Sequence, residues 1–308
     1  MTLASMTAAA DEPEFRAAGT DLSERRRSGV SRGPLIDLAP SPDTADIAWS
    51  DDGSAQIRAF TTIAAIATDS RLAAAYPGIV ASAQGLATPQ IRNLATLGGN
   101  LAQRSRCWYY RNPSIDCLKK GGTDCPARPG NHLYGVAFDL GPCIAPHPST
   151  MAMALLAYDA TITTNRRGKL SIHDLLGDGS NGTSDHLLPQ GEMIRSIELP
   201  QPVAQERALY KRAIGRSHAE WPLAEVCARA VIMDGRFHVV RITAGGVAPV
   251  PLRLLSSEAV LLGAAVNTEN ITEAARRATT DAKPLPMTGY KLDLLRGLVH
   301  DVLERLAG

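Results

Sequence analysis

The sequence predicts an α+β protein of two domains, and three observations support that fold class. The chain has 308 residues, of which 44% are hydrophobic and 20% charged, so it can bury two or three cores of ordinary size. Short strand patterns alternate with alanine-rich helical patterns over most of its length. Between residues 88 and 150, a glycine-rich segment and four of the five cysteines replace this regular pattern with loops.

The charge balance excludes a general affinity for polyanions. The 32 basic and 31 acidic residues leave a net charge of +1, which gives no field that would attract nucleic acid or an anionic membrane. No apolar run approaches the roughly 20 residues that a membrane span needs. Residues 1–10 lack both the basic and the apolar part of an export signal. We therefore expect no export signal, and a disordered start over residues 1–13.

The first third of the chain is predicted to form small strand and helix units. Asp51-Asp52-Gly53 is typical of a hairpin turn, with strands expected over residues 46–49 and 55–60. Another strand is expected over residues 34–38. Two helices are expected over residues 62–68 and 71–83, with Asp69 and Ser70 as N-cap residues.

The last half of the chain combines both kinds of pattern. We expect helices over residues 151–157 and 171–176, and strands over residues 160–164 and 192–200. A helix over residues 221–229 is expected to pack on strands over residues 230–233 and 237–242. Further helices are expected over residues 251–262, 268–279 and 292–306.

Two stretches have small residues that suit close contact with a ligand. In the first, residues 16–22, Gly19 permits a positive φ, and the small side chains let backbone N–H groups converge on an anion. An ordinary turn capped by Thr20 or Asp21 is an alternative explanation of the same residues. We call this stretch the first glycine loop.

The second stretch, residues 91–100, ends in Leu97-Gly98-Gly99-Asn100, and we call it the second glycine segment. Two adjacent glycines cost about 1 kcal/mol each inside a helix, so a turn pressed against a ligand is expected there. The amides of Gly98 and Gly99 could hold a pyrophosphate, with Thr96 and Asn100 as further donors. The stretch is neither a G-x-G-x-x-G fingerprint nor a P-loop, and a tight structural turn remains an alternative.

The cysteine loop, residues 104–147, is rich in proline and glycine and contains Cys107, Cys117, Cys125 and Cys143. Disulfides fit a chain without an export signal poorly, and the paired C-x2-C knuckles of a zinc ribbon are absent. A cubane iron–sulfur cluster needs four thiolates without fixed knuckles, so it fits best. Arg106, Lys119, Lys120 and Arg128 would offset the thiolate charge, whereas Cys227 lies in an apolar pattern and is expected to be buried.

From Phe15 onward the sequence resembles the FAD-binding medium subunit of the molybdenum hydroxylases, the xanthine dehydrogenase and carbon monoxide dehydrogenase family. The resemblance rests on the two glycine stretches, on Tyr210-Lys211 with Ile214-Gly215-Arg216, and on the segment from Thr243 to Pro249. The cysteine loop is similar to a branch that includes periplasmic aldehyde oxidoreductases and hydroxybenzoyl-CoA reductase. In that branch the flavin subunit also holds a [4Fe-4S] cluster.

The resemblance implies a domain layout. A two-lobed FAD-binding domain of the PCMH or vanillyl-alcohol-oxidase type would span residues 14–200, with the [4Fe-4S] insertion at about residues 104–147. A C-terminal α/β domain of sheet and helices would follow over residues 201–308.

The resemblance also implies roles for single residues. The FAD diphosphate would be held by the first glycine loop, that is by Arg16, Ala17, Ala18, Gly19, Thr20, Asp21 and Leu22. Thr96, Gly99 and Asn100 would bind the other side of the cofactor. Thr150 stands where the family often has an aspartate beside the flavin, and Lys211 matches a lysine near the isoalloxazine ring. The cluster ligands would be Cys107, Cys117, Cys125 and Cys143.

The function implied is electron transfer, without a catalytic side chain in this chain. Electrons would come from a large molybdenum-cofactor subunit and a small [2Fe-2S] subunit, and would pass through FAD to an external acceptor. The location would be cytoplasmic, or periplasmic if a partner with an export signal carries the chain. A stand-alone flavin oxidoreductase and a zinc-binding scaffold protein are the alternatives.

Overall fold

The computed structural model describes residues 13–41, 44–217 and 220–308. Most of the expected disordered start, up to residue 12, lies outside these ranges. The described chain begins with a small β–α–β unit of β1 (Glu14–Arg16), α1 (Leu22–Arg27) and β2 (Leu35–Asp37). The two strands are parallel, and the first glycine loop connects β1 to α1.

A five-stranded antiparallel sheet is the centre of the N-terminal domain. Its strand order is β3-β4-β7-β5-β6. The strands are β3 (Ile47–Trp49), β4 (Ala55–Arg58), β5 (Thr161–Thr164), β6 (Lys169–Ser171) and β7 (Ile194–Leu199). The predicted Asp-Gly hairpin is confirmed, because Gly53 has a φ of +83° in the turn between β3 and β4.

Helices cover this sheet and bury a common apolar core. They are α2 (Ile63–Thr68), α3 (Ser70–Ala75), α4 (Pro77–Gly85), α6 (Leu97–Leu101), α8 (Thr150–Ala157) and α9 (Ile172–Leu176). Two further short helices, α5 (Pro89–Leu94) and α7 (Trp108–Arg111), contribute no residue to this core. The Asp69 cap is confirmed, since its side chain accepts from the Leu72 amide at 2.7 Å. The single helix expected over residues 71–83 is wrong. It is split at Tyr76 because a residue before proline avoids the helical conformation.

The C-terminal domain is a four-stranded antiparallel sheet with the order β11-β10-β9-β8. Its strands are β8 (Arg207–Ala213), β9 (Ala224–Met233), β10 (Arg236–Gly245) and β11 (Leu252–Arg253). The helices α10 (Leu255–Leu261), α11 (Thr268–Arg277) and α12 (Tyr290–Ala307) share a second apolar core with it. The prediction of an α+β fold with a C-terminal sheet and helices is confirmed.

The helix expected over residues 221–229 is wrong, because this stretch enters strand β9. One face of the strand, with Val226 and Ala228, packs in the C-terminal core, while Cys227 on the other face belongs to the N-terminal core. A strand that is buried on both faces has no polar alternation. The sequence therefore lacks the period of two that would distinguish it from a helix.

The second glycine segment also differs from its prediction, since Gly98 and Gly99 lie in the first turn of the short helix α6. A Cβ at Gly98 would lie 2.9 Å from the Ala59 Cβ, so this glycine allows α6 to approach the end of β4. Close packing therefore offsets the helix cost of a glycine here. Among the helices of the described ranges, none is both long and apolar enough to cross a membrane.

Candidate functional site

The first glycine loop has the geometry of an anion cradle. Gly19 has a φ of +73°, which glycine adopts without strain, and Ala18 is exposed. Within the described residues, the backbone amides of Ala17 to Thr20 donate to no protein acceptor. Successive free N–H groups in such a turn can bind an oxyanion.

Asp21 has a structural role in this loop, because arginines occupy its carboxylate. Its oxygens lie 2.6 Å from Arg106, 2.7 Å from Arg111 and 3.1 Å from Arg25. Burial disfavours the charged carboxylate, but the arginine charges outweigh it and lower the pKa of Asp21. The Arg104 amide also donates to Asp21 at 3.1 Å. Asp21 therefore ties the first glycine loop to the start of the cysteine loop.

The second glycine segment offers fewer free amides than the sequence suggests. The Gly98 amide donates to the Ala59 carbonyl at 2.8 Å, so it is not available to a ligand. The Gly99 amide donates to Thr96 Oγ1 at 3.2 Å, which makes Thr96 the N-cap of α6. Asn100 is buried, and its Oδ1 accepts from the Ser149 hydroxyl at 2.6 Å. This bond joins α6 to the residue that caps α8.

Thr150 contacts a buried carboxyl that the sequence analysis did not identify. Glu225 Oε2 accepts from Thr150 Oγ1 at 2.8 Å and from the Tyr210 hydroxyl at 2.7 Å. Glu225 is 1% exposed, and burial raises its pKa against the effect of these two donors. A Cβ at Gly245 would lie 2.5 Å from Glu225 Oε1, so the glycine makes room for this carboxyl. The only sequence signal was one acidic residue in an apolar run.

Lys211 lies apart from the other predicted residues. Its ammonium is 3.4 Å from the Asp301 carboxylate on α12, and both side chains are more than a third exposed. Strand alternation places Lys211 and Tyr210 on opposite faces of β8. The Tyr210 face points toward Glu225, and the Lys211 face points toward α12.

A cavity of about 410 Å³ lies between the cysteine loop and the C-terminal domain. Its lining includes Arg106, Cys107, Trp108, Tyr134, His147, Gly215, Trp221, Gly246 and Lys291. Arg106 connects the cavity to the first glycine loop through Asp21. His147 connects it to the second glycine segment, because the Ser149 amide donates to His147 Nδ1 at 3.2 Å and Ser149 binds Asn100.

Two nitrogens of this lining are buried without a partner in the described part of the chain. They are Arg106 Nε and His147 Nε2. Burial lowers the pKa of His147 to about 4, so its ring is neutral near pH 7. Because Nδ1 accepts from the Ser149 amide, Nε2 carries the proton and is a donor. Buried polar atoms normally have hydrogen-bond partners. Two unpaired atoms beside one cavity therefore indicate that a ligand supplies their partners.

The four cysteines of the cysteine loop are free thiols near one another. The Cys143 thiol donates a hydrogen bond to the Cys125 sulfur. This hydrogen bond lowers the pKa of Cys125, and the backbone amides of Ile144, Ala127 and Arg128 act in the same direction. Cys107 interacts electrostatically with Cys125 and Cys117. Over residues 13–41, 44–217 and 220–308, no three His, Cys, Asp or Glu side chains converge closely enough to hold a single metal ion.

The predicted cations of this loop mostly neutralise carboxylates. Lys119 lies 2.7 Å from Asp185, Arg128 lies 2.7 Å from Asp139, and Arg106 pairs with Asp21. The hydrogen bond to Cys125 and burial raise the pKa of Cys143, and the charge of Lys119 opposes this only in part. The prediction that Cys227 is buried is confirmed, since it is 0% exposed.

Comparisons with known proteins agree with this architecture. Residues 2–202 match the family described as the FAD binding domain in molybdopterin dehydrogenase, and residues 208–306 match the CO dehydrogenase flavoprotein C-terminal domain. The chain is 30% identical over 256 residues to the aldehyde oxidoreductase FAD-binding subunit PaoB of Escherichia coli K12, covering 80% of this chain and 79% of that protein.

A second relative and two solved structures have lower identity. The xanthine dehydrogenase FAD-binding subunit of Escherichia coli O157:H7 is 24% identical over 294 residues, covering 89% of this chain and 81% of that protein. Quinoline 2-oxidoreductase from Pseudomonas putida 86 shares the fold with a TM-score of 0.74 at 19% identity, over 99% of this chain and 92% of that one. Carbon monoxide dehydrogenase from Hydrogenophaga pseudoflava gives a TM-score of 0.73 at 20% identity, over 98% and 91%.

Proposed function

Because the chain belongs to the family of FAD-binding subunits of the molybdenum hydroxylases, we propose that it binds FAD across its two glycine stretches and acts as the electron-transfer subunit of a heteromeric complex. The observation that carries this proposal is the cavity of about 410 Å³, whose lining residues Arg106 and His147 have buried unpaired nitrogens and are linked to the two stretches through Asp21 and Ser149. Cofactor sites are mostly apolar cavities with a few placed polar groups.

The residues present fit FAD. The free amides of Ala17 to Thr20 would hold the diphosphate, while the Asp21 ion pairs keep their loop in place. Thr96 and Gly99 bond to each other and Asn100 bonds to Ser149, so these three residues would shape the surface that the second glycine segment presents to the cofactor, and Thr150 would orient Glu225 beside it. When bound, FAD supplies a group that exchanges electrons singly and in pairs.

The partners are inferred from the same membership. Electrons would arrive from a large molybdenum-cofactor subunit and a small [2Fe-2S] subunit, and an external acceptor would remove them. In support, PaoB and the xanthine dehydrogenase relative are each named as FAD-binding subunits. A stand-alone enzyme would need its own substrate base near the flavin. The buried Glu225 carboxyl does not suit this role, because Thr150 and Tyr210 both donate to one of its oxygens and burial favours its neutral form.

We further propose that Cys107, Cys117, Cys125 and Cys143 ligate a [4Fe-4S] cluster. The amides and the Cys143 thiol around Cys125 favour its thiolate, which is the ligand form. The four thiols are neighbours in one loop, and a cubane cluster takes four thiolates. All four are free, so disulfides do not compete.

The test is a visible spectrum of the anaerobically purified protein with quantification of FAD, iron and zinc. Flavin bands with about four irons per chain would support both cofactors. Flavin with zinc and no iron would overturn the cluster, and a protein with neither flavin nor iron would overturn the proposed function.

Two variants separate the two cofactors. Cys117→Ser should lose iron and keep FAD, whereas Cys227→Ala, outside the cysteine loop, should keep both. Gly99→Leu should lose FAD, because a Cβ there already lies 3.0 Å from Thr96 Oγ1 and a larger side chain blocks backbone approach. Gly297→Leu is the matched control, since a Cβ at Gly297 meets no atom within 4 Å. Equal iron content in Cys117→Ser and wild type would refute the ligand assignment.

A further inference from the structure

Lys291 is a buried cation at the start of the last helix. It lies in the first turn of α12 and is 1% exposed. Its Nζ donates to the Gly246 carbonyl at 2.7 Å and to the Tyr134 carbonyl at 3.4 Å. An ammonium has three N–H donors, so one donor is left without an acceptor among the described residues. No described carboxylate forms an ion pair with it.

The position of this cation connects it to the cofactor site. Lys291 lines the same cavity as Arg106 and His147, which join the cavity to the two glycine stretches. Aromatic side chains, Trp108, Tyr134 and Trp221, form other parts of the lining. A planar ring with a negatively charged edge matches aromatic walls and a buried ammonium.

Burial of an unpaired charge is costly, and it lowers the pKa of Lys291 to about 7. Its two carbonyl acceptors satisfy hydrogen bonds but do not neutralise the charge. A ligand that carries negative charge would compensate this cost. Lys211 has no such need, because Asp301 already pairs with it at the surface.

We propose that Lys291, rather than Lys211, is the cation that contacts the flavin ring and stabilises the negative charge that the ring gains on reduction. This inference rests on the proposed function. Lys291 is a binding and positioning residue in this role, and the Gly246 and Tyr134 carbonyls hold its ammonium at the cavity wall.

The experiment measures the two-electron midpoint potential of bound FAD in wild type, Lys291→Gln, Lys291→Arg and Lys211→Met. Glutamine can still donate to the Gly246 carbonyl but carries no charge, so it isolates the charge from the hydrogen bond. We expect the equilibrium constant for reduction of bound FAD to be at least tenfold smaller in Lys291→Gln than in wild type. This corresponds to a fall of about 30 mV in the midpoint potential. Lys291→Arg should restore most of the potential, and Lys211→Met should leave it unchanged.

FAD content separates the two levels of the proposal. A wild-type protein without FAD would overturn the proposed function and this inference with it. Bound FAD with the same potential in Lys291→Gln as in wild type would overturn only the role of Lys291. A fall in the midpoint potential for Lys211→Met alone would show that Lys211, as predicted from the sequence, is the lysine that acts on the flavin. If the glutamine variant does not fold, Lys291→Met and Lys291→Arg are compared instead, and equal potentials in these two would contradict the charge role.

Discussion

Lys119 Nζ lies 2.7 Å from Asp185 Oδ1, which ties the cysteine loop to the N-terminal domain. Asp185 Oδ2 accepts from Arg104 Nε at 2.8 Å and from the Ser105 amide at 3.1 Å. The start of the cysteine loop, at Arg104 and Ser105, and Lys119 further along it therefore meet at one buried carboxylate. Burial opposes its ionisation, but the charges of Lys119 and Arg104 outweigh that effect and hold the pKa of Asp185 well below its usual range.

We expect Asp185→Asn to lower the free energy of unfolding by about 3–5 kcal/mol, because it leaves two cations without their buried partner. The folded-state pKa of Asp185 is depressed. The stability that its charge contributes is therefore present above the unfolded value of about 3.9 and is lost as pH falls below it. Denaturant unfolding at pH 7 and in acid measures both effects.

The control for this carboxylate is Asp293→Asn, whose side chain is 85% exposed and pairs with Arg296 at 3.3 Å. An exposed pair contributes about 1 kcal/mol or less. If the two variants lose the same stability, Asp185 does not anchor the cysteine loop.

Gly122 is expected to control the shape of the cysteine loop. Its amide donates to the Cys117 carbonyl at 2.9 Å, and a Cβ would lie 3.0 Å from the Cys117 nitrogen and 3.1 Å from its oxygen. These are backbone atoms that cannot rotate away. Gly122→Ala should therefore displace Cys117, cost about 1–3 kcal/mol and lower the iron content, with FAD retained.

Iron and FAD analysis of Gly122→Ala beside Gly297→Ala checks this expectation, since the second substitution meets no neighbouring atom. Full iron content in Gly122→Ala would show that the position of Cys117 tolerates this change.

Glu225 should make stability fall as pH rises. Its folded-state pKa is raised by burial, so its contribution is complete below the unfolded value of about 4.3 and is lost as pH rises through the folded value. We expect Glu225→Gln to gain stability relative to wild type as the pH rises above the unfolded value of about 4.3. Tyr210→Phe removes one donor to the carboxylate, which should raise the folded-state pKa of Glu225 further. More stability should then be lost as the pH rises.

Denaturant midpoints at several pH values compare these variants. A constant difference between Glu225→Gln and wild type at every pH would show that Glu225 titrates alike in the folded and unfolded states.

Much of the fold could be predicted because its signals are local. The Asp51-Asp52-Gly53 hairpin and the Asp69 cap depend on residues that are adjacent in sequence. Strand β9 could not be recognised, because burial of both its faces removes the alternation on which prediction depends. Burial on two faces is a property of the assembled domains and not of the strand's own sequence.

The candidate site was predictable only in its glycine and cysteine motifs. Lys291 and Tyr134 are 157 positions apart, and Lys119 and Asp185 meet across 66 positions. In the sequence the two lysines and Asp185 look like ordinary surface charges. The lysine beside Tyr210 was assigned by its motif, but strand alternation turns Lys211 toward α12.

The last prediction concerns the cost of burying Lys291. Burial lowers its pKa to about 7 in the folded state, against about 10.4 in the unfolded chain. Between these values the unfolded state binds more protons, so stability rises with pH. Relative to Lys291→Met, the FAD-free wild type should gain about 1.4 kcal/mol for each pH unit inside this window. Chemical unfolding of both proteins from pH 6 to pH 10 measures the gain.

The sign of that gain depends on what faces the ammonium. It contacts the Gly246 and Tyr134 carbonyls, and the titratable groups that share the cavity lining are Arg106, Cys107, Tyr109, His132, Tyr134, His147 and Glu220. Burial alone accounts for the lowered pKa of Lys291. Bound FAD should oppose the lowering of the Lys291 pKa, because negative charge near the ammonium raises that pKa. The pH range over which stability rises should then become narrower. A pH-independent difference between Lys291→Met and wild type would mean that Lys291 stays fully charged in the folded protein.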